Sequence, residues 1–291
     1  MSNLIQIKEI LEKYNKIPKR SLGQNFLINP EIAKKTAEIC MGGVFPPVDG
    51  VLEIGPGIGA LTVELCRLYK KVAAVEIDRT FEPILNDIMA NYSNLNIIFD
   101  DILRVDLHNL VKNEFSECEK IYVCANLPYY ITTPVILKLL KSGVRFNGIT
   151  VMVQKEAADR LCSKAGEANY NATATVINYY GEAKKMFNVP KLDFYPAPKI
   201  LSTVVRIIPH NAPIANPKSE GLMYKIIDAA FEQRRKTLVN ALVNSMNLDK
   251  EKVINIVKKI TGNESIRGEE LNVRMFADIS DLIYDLQIIN K

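Results

Sequence analysis

Apolar, β-branched runs recur along the first two-thirds of the chain, at residues 51–54, 72–77, 96–99, 121–125, 149–153, 186–189 and 203–207. They are almost continuously apolar, as strands covered on both faces must be. Segments of helical spacing separate most of them, at 60–69, 81–92, 134–142 and 155–164. Strands alternating with helices predict βαβ units and a mainly parallel sheet. Beyond Ile208 the pattern changes. Pro209, Pro213 and Pro217 interrupt a short polar stretch, which reads as a linker. Leu222, Ile226, Ala229, Ala230, Val239 and Leu242 then follow at helical spacing, with no convincing strand. The expectation is an α/β domain over 1–209, with 1–40 as an N-terminal segment, and a small all-α domain over 210–291.

Composition narrows the function. Of 291 residues, 48% are hydrophobic and 24% charged, enough to bury a full core. No apolar run reaches the roughly 18 residues of a membrane span. The first sixteen residues read as an amphipathic helix rather than a signal peptide. His108 and His210 are the only histidines, which argues against a Ser-His-Asp hydrolase or a His-rich metal site. Cys40, Cys66, Cys118, Cys124 and Cys162 contain no C-x-x-C pair, so no disulfide framework or zinc signature is expected. A reducing cytoplasm is the simplest location. The net charge of +4 divides into +3 over 1–40, −3 over 41–150, +3 over 151–210 and +1 over 211–291. A polyanion would meet the basic flanks, although charge alone favours ordinary surface variation.

Candidate chemistry begins with Glu53-Ile54-Gly55-Pro56-Gly57-Ile58-Gly59. A strand runs into a glycine turn and then a helix, so a ligand can approach the backbone closely. A glycine pattern alone also suits a plain strand-to-helix turn. The spacing is G-x-G-x-G, not the G-x-G-x-x-G of dinucleotide binders. The next strand ends in Glu76 and Asp78, and the third in Asp100 and Asp101. A carboxylate after the second strand can accept from ribose hydroxyls, and one after the third from an adenine amine. Glu53 just before the loop disfavours a pyrophosphate and suits a ligand with a cationic centre. S-adenosylmethionine (AdoMet) fits this constellation better than NAD.

The fourth strand runs into Asn126-Leu127-Pro128-Tyr129-Tyr130. An Asn-x-Pro turn with an exposed aromatic is one reading. The chemical reading is sharper. An exocyclic adenine amine is a poor nucleophile because its lone pair is delocalised into the ring. The Asn126 side-chain oxygen and the Leu127 carbonyl can each accept one of its N–H groups, which favours a pyramidal nitrogen aimed at a methyl donor. That is orientation and electrostatics, with no general base required. Pro128 stiffens the loop, and Tyr129 offers a flat face to an extruded base. Phe194, in Phe194-Tyr195-Pro196-Ala197-Pro198-Lys199, is a candidate for the other face of that base.

These motifs, in this order, resemble the small-subunit ribosomal RNA adenine N6-dimethyltransferases over nearly the whole chain. Matching segments are Ser21-Leu22-Gly23-Gln24-Asn25-Phe26-Leu27, residues 53–62 and 125–134, Gln154-Lys155-Glu156, residues 194–199, and residues 231–238 with Arg234-Arg235-Lys236. The resemblance implies a Rossmann-like class I AdoMet-dependent methyltransferase with a seven-stranded mixed sheet. It implies cofactor contacts from Gln24, Asn25, Leu27, Gly55, Gly57, Glu76, Ile77, Asp101, Ile102 and Asn126. Catalysis falls to Asn126, Leu127, Pro128, Tyr129 and Phe194, and RNA contact to Arg234, Arg235 and Lys236. The implied partner is small-subunit ribosomal RNA in an immature subunit, bound by a monomer with no metal and no membrane. Two positions depart from the family pattern: Asn171 stands where glycine is usual after Tyr170, and Leu201 where an acid is common. A large-subunit adenine N6-methyltransferase of the macrolide-resistance type is the nearest alternative. Its loop more often reads Asn-Ile-Pro-Tyr or Asn-Ile-Pro-Phe, and it generally lacks the Gln-Arg-Arg-Lys-Thr element. A non-catalytic RNA-binding assembly factor would show an eroded loop or a lost Asn126.

Overall fold

The computed structural model describes residues 3–19, 23–43 and 48–289. In chain order the elements are α1 (Asn3–Lys13), β1 (Phe26–Leu27), α2 (Pro30–Met41), β2 (Val48–Ile54), α3 (Ala60–Leu68), β3 (Tyr69–Glu76), α4 (Glu82–Met89) and β4 (Leu95–Phe99). They continue as α5 (Leu107–Glu114), β5 (Ile121–Asn126), α6 (Thr132–Lys141), β6 (Gly148–Gln154), α7 (Lys155–Leu161), α8 (Ala172–Tyr180), β7 (Gly181–Val189), β8 (Phe194–Tyr195) and β9 (Ser202–Pro209). Four helices close the chain: α9 (Glu220–Glu232), α10 (Leu238–Met246), α11 (Lys250–Thr261) and α12 (Val273–Ile289).

The seven predicted strands form one sheet in the order β4-β3-β2-β5-β6-β9-β7, and the fold is the expected Rossmann-like α/β architecture. Strands β2 to β6 pair in parallel, and β9 runs antiparallel to β6. The chain builds outward from β2 to β4, then crosses back to lay β5 on the other side of β2. The switch point therefore lies between β2 and β5, where Ile54 stands opposite Ala125. Helices α2 and α3 cover one face there. Ala37, Cys40, Met41, Leu61 and Leu65 pack on Val51, Val72, Ala74, Tyr122 and Cys124. Each buried Leu or Val contributes roughly 1.5–3 kcal/mol relative to exposure. Helix α2 starts where Asn29 accepts the Glu31 N–H at 3.1 Å with Pro30 next in line, and it stops at Gly42 with φ +74°. A second, two-stranded sheet pairs β1 with β8, Phe26 opposite Tyr195 and Leu27 opposite Phe194. Two residues per strand leave no periodicity to read.

The chain divides into two compact units, residues 1–158 with 184–209, and residues 159–183 with 210–291. The proline-rich stretch predicts one boundary at 209/210, whereas the structure puts residues 159–183 with the C-terminal helices. The reason is aromatic packing. Tyr179 of α8 is part of that core with Ile226, Leu238, Val257, Phe276 and Ile279. Tyr170 meets Phe231 edge-on at 5.6 Å between centroids. No helix among the described residues is long and apolar enough to cross a membrane.

Both departures from the family pattern have a local account. Asn171 has φ −158°, extended backbone that needs no glycine. It caps α8 by accepting the Ala174 N–H at 3.2 Å, and its amide donates to the carbonyls of Arg160 (2.9 Å) and Asn169 (2.8 Å). Leu201 contributes its backbone carbonyl, which accepts the Lys155 N–H at 2.9 Å, a role open to any residue. Replacing the cap removes three bonds at once. Asn171→Ala is expected to destabilise the helical unit by about 1–2 kcal/mol, read as a lower urea midpoint, with Asn171→Asp recovering part of the loss.

Candidate active site

A cavity of about 240 Å³ opens where the C-terminal ends of β2, β3, β4 and β5 converge, the crevice in which open parallel sheets bind ligands. Its floor is the glycine loop between β2 and α3. Gly55, Gly57 and Gly59 all have positive φ, at +73°, +56° and +84°. At Gly59 an added Cβ would collide with the Ile88 side chain. At Gly55 it would meet nothing within 4 Å, so this backbone borders open space in the cavity.

Three acids behind the loop sit in different environments. Glu76, at the end of β3, accepts the Gly57 N–H at 3.0 Å on one oxygen and the Asp78 N–H at 2.8 Å on the other. Burial raises its pKa and these backbone donors oppose that rise. Glu53 is 1% exposed, lines the cavity, and has one oxygen without a hydrogen-bond partner among the described residues. Burial, aided by the neighbouring Glu76 charge, pushes it up to about 8. Asp78 is also buried, but it gathers Lys19, Thr80 and Gln24. Burial works against its charge, yet these donors hold it down at about 2. After β4, Asp101 accepts the Leu103 N–H at 2.9 Å and lines the cavity beside Ile102 and Leu103. Ile77, half-exposed, lines it as well.

The Asn126 loop forms the opposite wall. The Asn126 amide donates to the Asn25 carbonyl at 3.2 Å. A carbonyl can only accept, so the NH₂ end is committed there and the oxygen end is left for another partner. Leu127 is buried and fixes the loop backbone. The Tyr129 hydroxyl lies 3.1 Å from Ser202 Oγ at the start of β9. Burial raises its pKa, and the Ser202 bond opposes that. Tyr130, 58% exposed, stands beside it on the cavity lining.

From the N-terminal segment, Gln24, Asn25 and Leu27 reach the cavity. Gln24 is engaged elsewhere, since its amide donates to Asp78 at 3.0 Å and accepts the Lys19 N–H at 2.8 Å. Ser21 and Leu22 of the opening motif lie outside the described residues. Phe194 is not brought to the cavity. It is 3% exposed and packs with Leu27, Ala33, Met152, Val189 and Val204, because its pairing with Leu27 turns the ring into that cluster. It backs Leu27 and Met152, which do line the cavity, instead of facing a ligand. In the helical unit, Arg234, Arg235 and Lys236 occupy the exposed turn between α9 and α10. Arg234 pairs with Glu269 at 2.9 Å and donates to the Ala168 carbonyl at 3.0 Å. Reading along the sequence missed Lys19 and Ser202. Only the acid at Asp78 signalled that something would have to neutralise it.

The model of the family described as ribosomal RNA adenine dimethylase matches residues 15–284. A ribosomal RNA small subunit methyltransferase A of Anoxybacillus flavithermus is 40% identical over 96% of this chain and 95% of its own length. That of Geobacillus thermodenitrificans is 42% identical over 96% and 95%. A crystal structure of a dimethyladenosine transferase from Plasmodium falciparum superposes with a TM-score of 0.73 at 25% identity, covering 91% of this chain and 98% of that one. The 23S rRNA methyltransferase ErmE superposes at 0.66 and 17% identity, covering 89% and 100%, a likeness of fold alone.

The state of Glu53 has a measurable consequence. A carboxyl raised from an ordinary 4.5 to about 8 keeps its proton in the folded protein and loses it in the unfolded one. The resulting stabilisation is complete below pH 4.5 and is lost as pH rises through 8, with a slope of up to about 1.4 kcal/mol per pH unit. Urea unfolding between pH 5 and 8 should therefore show a steeper loss of stability for the native chain than for Glu53→Gln. Parallel curves would show that Glu53 ionises normally.

Proposed function

Because the chain belongs to the ribosomal RNA adenine dimethylase family, we propose that it transfers methyl groups from AdoMet to N6 of two adjacent adenosines near the 3′ end of small-subunit ribosomal RNA, dimethylating each. The observation that carries this reading is the Asn126 amide, whose NH₂ end is held by the Asn25 carbonyl on the wall of a cavity built on a glycine loop. An asparagine held that way presents an acceptor, and an adenine amine needs acceptors.

The residues present suit AdoMet. Gly55 offers bare backbone, and the buried unpartnered oxygen of Glu53 suits a ligand with a positive centre. Glu76 and Asp101 supply acceptors for ribose hydroxyls and for the adenine amine. Gly57 adds backbone from the floor, Asn25 and Leu27 close the site from the N-terminal side, and Ile77 and Ile102 contribute apolar contact. When bound, AdoMet supplies an electrophilic methyl group.

This chain's own part is positioning. Asn126 Oδ1 and the Leu127 carbonyl accept the two N–H groups of the target amine, so that its lone pair points out of the ring plane. Pro128 limits movement of the loop. Tyr129, steadied by Ser202, stacks on the extruded adenine, a contact worth about 1–3 kcal/mol. Once methylated, the cationic amine is acidic and gives its proton to water, so the scarcity of histidine is no handicap. Arg234, Arg235 and Lys236 are read as phosphate contacts of the helical unit, with small-subunit ribosomal RNA in an immature subunit as the partner. The five free cysteines suit a reducing compartment such as the cytoplasm. A large-subunit RNA substrate is disfavoured by Leu127 and by residues 233–237, and a non-catalytic role by the retained Asn126.

Labelled AdoMet incubated with undermethylated small subunits should yield labelled dimethyladenosine in the small-subunit RNA; no label in adenosine would overturn the assignment. Asn126→Ala should lower kcat about 10²–10³-fold while AdoMet binding stays measurable by calorimetry. Full activity would remove Asn126 from its role.

A further inference from the structure

Lys19 does not line the cavity, yet it closes a clamp that reaches into it. Its ammonium donates to both oxygens of Asp78, at 3.1 and 2.9 Å. Gln24 completes the ring, donating to Asp78 at 3.0 Å and accepting the Lys19 backbone N–H at 2.8 Å. Asp78 also accepts from the Thr80 N–H (3.1 Å) and hydroxyl (2.7 Å). Its own N–H is held by Glu76, which in turn holds Gly57. The clamp is thereby continuous with the glycine loop.

The segment leaving the clamp touches both the Asn126 loop and the glycine loop. At Gly23 an added Cβ would lie 3.2 Å from Pro128 Cβ. The Asn25 carbonyl receives the Asn126 amide. Phe26 meets Phe81 edge-on at 5.7 Å and closes over Gly57, and Leu27 pairs with Phe194. Residues 26–27 are fixed by their strand. Asn25 sits between that strand and the clamp, so its carbonyl direction depends on both ends.

We propose that the Lys19–Asp78–Gln24 clamp positions the Asn25 carbonyl and, through it, the amide of Asn126 for methyl transfer. Lys19 is then a positioning residue and touches neither cofactor nor adenine. Its side chain is 45% exposed and that of Asp78 only 5%, so the carboxylate is the fixed post and the lysine arm the part that can let go. The proposal rests on the reading of Asn126 as acceptor for the target amine.

The test compares Lys19→Met, Lys19→Arg and Asp78→Asn with the native chain, using AdoMet and undermethylated small subunits, after thermal melts have shown that each variant folds. Lys19→Gln replaces Lys19→Met should that variant not fold. Lys19→Met is expected to lower kcat tenfold or more with the KM for subunits within about twofold, and Lys19→Arg to regain at least half. Combining Lys19→Met with Asp78→Asn should add little, as for two ends of one contact. Independently of activity, amide hydrogen exchange should quicken at residues 23–27 in Lys19→Met and slow again in Lys19→Arg. A raised KM with unchanged kcat would make Lys19 a phosphate contact and overturn the proposal. So would unchanged exchange at 23–27, or additive effects of the two substitutions. Failure of the native chain to methylate at all would instead strike the function itself, while the exchange measurement would still judge the clamp.

Discussion

The parallel pairing of β2 with β5 is the constraint on which the rest depends. These strands are separated in sequence by two βα units, and they become neighbours only because the chain reverses its direction of growth across the sheet. Their C-terminal ends then lie side by side, Ile54 opposite Ala125. The glycine loop continues one strand and the Asn126 loop the other. A register slip of one residue would turn every side chain on β5 to the opposite face and carry Asn126 away from the loop. The near-complete burial of β5 on both faces resists such a slip.

Around that junction the protein keeps three carboxyl groups in three conditions. Asp78 is charged and saturated with donors, Glu76 is buried and shared between two backbone N–H groups, and Glu53 is buried with one oxygen uncommitted. The first two are structural commitments, since they tie β3 to the glycine loop and to the N-terminal segment. The third is a reserve of negative charge that becomes favourable only when something positive enters. A site of this kind favours a cationic ligand over a neutral one of the same shape, because only the former repays the cost of ionising a buried acid.

Much of this was legible from the residues in order. Continuous apolar runs marked the inner strands β5, β6 and β9 because burial on both faces permits little else, the edge strand β7 was marked by a run that is mostly exposed, and strand-terminal acids marked the crevice because the topology brings strand ends together. What could not be read was whatever depends on distant residues meeting. The pairing of Phe26 and Leu27 with residues 194–195 leaves no periodic trace. Phe194 looks like a stacking platform in sequence, and only that pairing reveals a ring turned into the core. Lys19 looks like any surface lysine until Asp78 is found buried beside it. The boundary of the helical unit was misplaced for the same reason, since the aromatic packing of Tyr170 and Tyr179 outweighs the proline punctuation at 209–217.

The small sheet of β1 and β8 also ties completion of the site to the order of synthesis. Beside it, Asn29 donates to Asp193, 164 positions further along the sequence, at 2.9 Å. At about 5–20 residues per second, a nascent chain spends on the order of 10–30 s with its N-terminal segment made but its strand partner not yet emerged. Over that interval Leu27 has no edge to pair with, so the N-terminal wall of the cavity is completed only after Phe194 has been made.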